Sequence, residues 1–82
     1  MTLFEFRLLE LPDQVALLYS EGVYIGKRKE GKTIILLYQL EAFYIEVYYR
    51  TYRRHVKTLY CTASTSILDP YLEQIDVEQL VG

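Results

Sequence analysis

Few groups in this chain have the type and setting to do chemistry. Glu46 sits in an alternating run between Tyr44 and Tyr48, and the strand pairing described below sets Leu37 beside it. A carboxylate among apolar and phenolic side chains is one place where a small-ligand or acid–base site arises. The plainer alternative is a carboxylate that accepts hydrogen bonds from a tyrosine hydroxyl or a basic side chain. His55, the single histidine, follows Arg53 and Arg54 and reads as a solvated turn residue. Cys61, the single cysteine, lies in a strand-like run and reads as a small buried apolar group rather than a nucleophile. One cysteine excludes an internal disulfide and a metal cluster of the usual Cys/His type. Phosphate-cradling glycine loops, metal-ligand spacings and nucleophile motifs do not occur. No catalytic residue, cofactor or metal ligand is assigned, and a non-enzymatic chain is expected.

Charge is the second chemical signal. Residues 23–57 hold eight Lys/Arg and three acids, a net of +5, while the remainder holds one Arg and eight acids, a net of −7. The whole chain carries −2, so the mild total conceals a dipole. Arg28, Lys32, Arg50, Arg53, Arg54 and Lys57 form a candidate anion-binding rim, with Lys27 and Lys29 beside it. A focused basic rim steers anionic partners, and nucleic acid is the alternative partner on that account.

What positions these groups is a run of strands. From Phe43 the residues alternate, with Phe43, Ile45, Val47 and Tyr49 on one side and Tyr44, Glu46, Tyr48 and Arg50 on the other. A period of two marks a half-buried strand. A two-residue turn at Glu41-Ala42 pairs Leu40 with Phe43, Tyr38 with Ile45, Leu36 with Val47 and Ile34 with Tyr49. Slipping the pairing by one residue destroys that sorting. Val23 to Lys29 supplies a preceding strand, with a turn at Glu30-Gly31 that pairs Ile25 with Leu36 and Val23 with Tyr38. Val56 to Thr62 supplies a fourth. Its register is open: Val56, Thr58 and Tyr60 face the core after a two-residue turn, or Leu59 and Cys61 do after a longer turn or a bulge.

Helical patterns flank the strands. Pro12 to about Glu21 has Pro at a favoured first position and Gly22 as its stop. Residues 2–11 fit either a short strand (Phe4, Phe6, Leu8) or a helical face (Phe4, Leu8, Leu11) packed on the core. Near the C-terminus Leu68, Leu72 and Ile75 fall at helical spacing with Tyr71 beside them, capped by Ser66 or by Asp69. This helix is expected to end near Gln74, with a short tail over residues 76–81. The layers that follow are α+β: a four-stranded antiparallel meander with two helices packed on one face, in the order α-β-β-β-β-α.

The 82 residues make a single domain. No run approaches the ~20 apolar residues of a membrane helix, so no membrane partner and a cytoplasmic location are expected. Nine tyrosines outnumber the four glycines, which suits strands and half-exposed interfaces alike.

The segment Leu37-Tyr38-Gln39-Leu40, followed by Phe43, Glu46-Val47 and Tyr49, resembles a group of small uncharacterised bacterial proteins. These share a Leu-Tyr-x-Leu hairpin leading into a Phe-x-x-Glu-Val-x-Tyr strand. The resemblance spans most of the chain and implies no activity and no site residue.

With both helices on one face, the opposite face of the sheet stays open. It carries Tyr24, Ile35, Leu37, Tyr44, Glu46 and Tyr48, an apolar-aromatic patch of the kind a monomer rarely leaves bare. The expected function is therefore an interaction domain that forms a homodimer or docks a protein partner through that face.

Overall fold

The computed structural model describes residues 1–51 and 55–72. β1 (Val23–Glu30), β2 (Thr33–Leu40), β3 (Phe43–Thr51) and β4 (His55–Thr62) form one antiparallel sheet in sequential order. Two helices, α1 (Leu3–Leu8) and α2 (Leu11–Glu21), precede it; a 3-10 turn (Thr65–Leu68) and α3 (Asp69–Leu72) follow. The α+β class and the element order are those expected, and no helix among the described residues is long and apolar enough to cross a membrane.

β2 and β3 pair as the alternation demands, with Leu40 opposite Phe43, Leu36 opposite Val47 and Ile34 opposite Tyr49. Glu41, the first residue of their turn, has φ 52°, and Gly31, the first residue of the β1–β2 turn, has φ 61°. Glycine takes positive φ freely, whereas a side chain there costs about 1–2 kcal/mol. Glu41 is held by the Met1 amine on its carboxylate at 2.6 Å and by Gln39 Nε2 on its carbonyl at 3.1 Å. The Glu41→Gly variant is expected to gain about 0.5–1 kcal/mol, since relief of the backbone outweighs an exposed ion pair. Thermal unfolding checks this, as a rise of several degrees in Tm.

The first hairpin corrects the expected register. Its turn is Gly31-Lys32, with Glu30 opposite Thr33, because the first turn position is the one that needs positive φ and glycine occupies it. Lys27, rather than Ile25, therefore stands opposite Leu36. A register break at Ile25 then sets Tyr24 opposite Tyr38, moving Tyr24 to the face opposite the one expected. In β4 the bulge alternative holds. A register break beside Tyr49 pairs Val47 with Leu59 and Ile45 with Cys61, and it sets Val56 opposite Tyr49 on the same side.

One sheet face packs on α1 and α2. Thr2 and Glu5 form a reciprocal capping box that starts α1, and hydrogen bonding to Thr2, its backbone N–H foremost, holds the Glu5 carboxyl below its usual range. Phe6 is the buried residue of α1, its ring centroid 5.7 Å from that of Phe43. Arg7 reaches from α1 to β4, donating to Cys61 Sγ at 3.4 Å and to the Cys61 carbonyl at 3.2 Å. Leu18 is the buried residue of α2. Gly22 ends α2 with an ordinary negative φ of −72°. Its role is spatial, for a Cβ there would stand 2.5 Å from the Leu18 carbonyl oxygen. With Leu36, Leu40, Phe43, Ile45, Val47, Tyr49 and Cys61, these residues make the main core.

The C-terminal helix is placed differently from expectation. Ser64 caps the 3-10 turn, Asp69 is already helical, and Pro70 sits in the first turn of α3. Tyr71 points at the other face of the sheet, against Gly26, where a Cβ would stand 3.2 Å from the ring. α3 therefore covers the face opposite α1 and α2, and the sheet is the middle layer. The expected end near Gln74 and the tail over 76–81 lie outside the described residues.

Candidate functional site

Glu46 is the buried acid among the described residues, 4% exposed, on the sheet face where α3 sits. Three side chains reach it. Tyr71 donates from α3 to Oε2 at 2.7 Å, Tyr48 donates from β3 to Oε1 at 3.1 Å, and Arg28 donates Nε from β1 to Oε2 at 3.2 Å. Arg28 also donates to Tyr48 Oη at 3.4 Å and to Glu30 at 2.9 Å, and its guanidinium lies 5.9 Å from the centre of the Tyr71 ring. Strand sidedness explains the convergence, because Gly26, Arg28, Leu37, Glu46 and Tyr48 all project from one face. The alternative in which Glu46 accepts hydrogen bonds from tyrosine and a basic side chain is the one the structure shows. Among the described residues no buried side-chain polar atom lacks a partner.

The network biases its members' protonation. Burial works against the Arg28 charge, yet the hydrogen bonds to Glu30 and Glu46 more than offset it and raise its pKa. Burial raises the Tyr71 and Tyr48 phenols above their ordinary value, and the Glu46 charge raises both further. A phenol whose folded pKa is raised keeps its proton longer in the native state. Its stabilisation is whole below the unfolded pKa of about 10 and is lost as pH climbs beyond it. Guanidinium midpoints measured from pH 8 to 12 are thus expected to hold level and then fall above about pH 10. The fall should be shallower in Tyr71→Phe.

The expected docking face is largely closed. Ile35 and Leu37 are 0% exposed, Glu46 is buried, and Tyr44 and Tyr48 are half-buried. Tyr24 is exposed but lies on the other face, edge-on to Tyr38 with centroids 5.7 Å apart. The premise of an uncovered face fails, and Tyr71 of α3 stands on that face against Gly26 and hydrogen-bonded to Glu46. The basic rim survives in part. Lys32, Arg50 and Lys57 are exposed, Arg28 is withdrawn into the Glu46 network, and Arg53 and Arg54 lie outside the described residues. Cys61 is buried beneath Arg7. Among the described residues no group of three His, Cys, Asp or Glu is placed to hold a metal ion.

Two clefts remain. One of about 300 Å³ on the α2 side is lined by Tyr19, Leu36, Tyr38 and Tyr49, with the Tyr19 and Tyr49 hydroxyls hydrogen-bonded to each other. The other, about 260 Å³, is lined by Glu30, Thr33, Tyr48 and Lys57.

The surface that sequence reasoning missed is on α1. Leu8 is 85% exposed and Phe4 71%, and Leu11 follows at the start of α2 at 39%. The periodicity put these three on one inward helical face, whereas the structure leaves Phe4 and Leu8 exposed on α1 and starts α2 with Leu11 after the extended Leu9 and Glu10. Phe6, which the helical reading left aside, is the residue that faces the core. No family model matches the chain, and no match is found among curated proteins or solved structures.

Proposed function

We propose that the chain is a small non-enzymatic interaction domain, and that its docking surface is the apolar stripe of α1 rather than the sheet face. The observation that carries this reading is the exposure of Phe4 and Leu8, one helical turn apart, on a helix whose inner face is already satisfied by Phe6. Exposed large apolar side chains grouped on one element mark interaction sites. The buried Glu46 carboxylate is committed to Arg28, Tyr48 and Tyr71, which supports a structural rather than a catalytic use.

Other surfaces have less support. Val23, Tyr24 and Ile25 are exposed at the start of the edge strand β1, but the register break at Ile25 interrupts the ladder a partner strand would extend. An anionic partner on the basic rim loses Arg28 from its set of contacts.

Photocrosslinking tests the reading. A photoreactive residue at position 8, in the protein's native cell, is expected to give a discrete adduct, and the same residue at position 32 none. Phe4→Ser should remove the adduct. Equal yields from both positions, or indifference to Phe4→Ser, would defeat the proposal.

A further inference from the structure

We infer that the occupant of the α1 stripe is a basic amphipathic segment of another protein, an inference that rests on the interaction reading above. Charge around the stripe carries it. Glu5, on α1 beside Phe4 and Leu8, and Glu10 and Asp13, on either side of Leu11, are all exposed. The acids outnumber the local cations, Arg7 on α1 and the Met1 amine, and both cations already donate elsewhere. Arg7 is committed to the Cys61 carbonyl and sulfur, and the Met1 amine to Glu41. An apolar strip with an acidic margin complements a segment that presents apolar anchors flanked by Lys or Arg.

A second copy fits poorly. Twofold pairing through α1 would gather Glu5, Glu10 and Asp13 of both copies around one small interface. Size points the same way, since stable dimers engage about 20–30 residues a side. Phe4, Leu8 and Leu11 offer a handful of anchors, the number a short helix or peptide uses at i, i+4 and beyond.

The test uses three synthetic 14-residue amphipathic peptides with one leucine pattern and polar positions filled by Lys, Gln or Glu. Affinity is read by fluorescence anisotropy and the site by amide chemical shifts of the whole chain. The Lys peptide is expected to bind at least about tenfold tighter than the Glu peptide, with shifts centred on residues 4, 8 and 11. Raising salt from 50 to 300 mM should weaken it several-fold. The Glu10→Lys/Asp13→Lys variant should lose about tenfold for the Lys peptide and gain for the Glu peptide. Leu8→Ser should weaken all three.

Equal binding of the three peptides at residues 4, 8 and 11 would overturn the basic partner and leave the interaction reading standing. So would a concentration-dependent dimer that Leu8→Ser abolishes. Lys-peptide shifts scattered over acids elsewhere, with residues 4, 8 and 11 silent, would overturn it as nonspecific attraction. No binding by any peptide, no dimer and no adduct from position 8 would end both readings.

Discussion

Arg28→Ala is expected to cost the domain about 3–5 kcal/mol, the range for removing one partner of a buried ion pair. Glu46 is almost wholly buried and Arg28 is its only cationic partner among the described residues. Alanine leaves the Glu46 charge with two phenol donors and little water. The reverse substitution is milder. In Glu46→Leu the guanidinium keeps Glu30 and its own partial exposure, so a loss of about 1–3 kcal/mol is expected. The double variant Arg28→Met/Glu46→Leu should recover most of the Arg28→Ala loss, because a hydrophobic pair of similar volume leaves no unpaired charge. Guanidinium unfolding of the three variants decides this. If Arg28→Ala costs no more than Glu46→Leu, the carboxylate is better hydrated than its burial implies. A chain of this length is expected to have about 4–12 kcal/mol in all, so Arg28→Ala alone approaches the folding limit.

Phe6→Ala carries the second large effect, again about 3–5 kcal/mol, as expected for deleting a fully buried phenylalanine. The ring is 0% exposed and packs against Phe43 in the main core. Its loss opens a cavity between α1 and the sheet, leaving Leu3, the capping box and Arg7 to hold the helix. Leu8→Ser, two residues along and facing water, should stay within about 0.5 kcal/mol of the parent. Urea midpoints for the pair measure this directly. A comparable loss in both would mean that Leu8 is packed rather than presented, and the docking surface would go with it.

These contrasts show where the fold was legible. The β2–β3 register was readable because two long alternating runs sort both faces at once, and one slip would mix them. The β1 register was not, because Gly31 belongs to either of two adjacent two-residue turns and Val23-Tyr24-Ile25 has no alternation to reveal a break. The same weakness misplaced Tyr24. The position of α3 was missed for another reason. Leu68 and Leu72 gave an apolar spacing that looked core-facing, whereas a polar demand decided the matter. Buried Glu46 needed donors, and Tyr71 supplies one from the far side of the sheet. In α1, six residues are too few for periodicity to choose between Phe6 and the Phe4–Leu8 stripe. Cap chemistry fixes that the helix exists but not which way it turns.

The place of Tyr71 on the second sheet face has a consequence for biosynthesis. Gly26 and Glu46 leave the ribosome well before Tyr71 does, and the meander can pair as soon as β4 is out. For that interval the nascent chain displays an uncapped Gly26 and a carboxylate that lacks one of its donors. Incompletely packed nascent chains of this kind engage chaperones, and aggregation begins from them. Slowing translation after Thr62 should lengthen chaperone occupancy, and Tyr71→Phe should prolong it further.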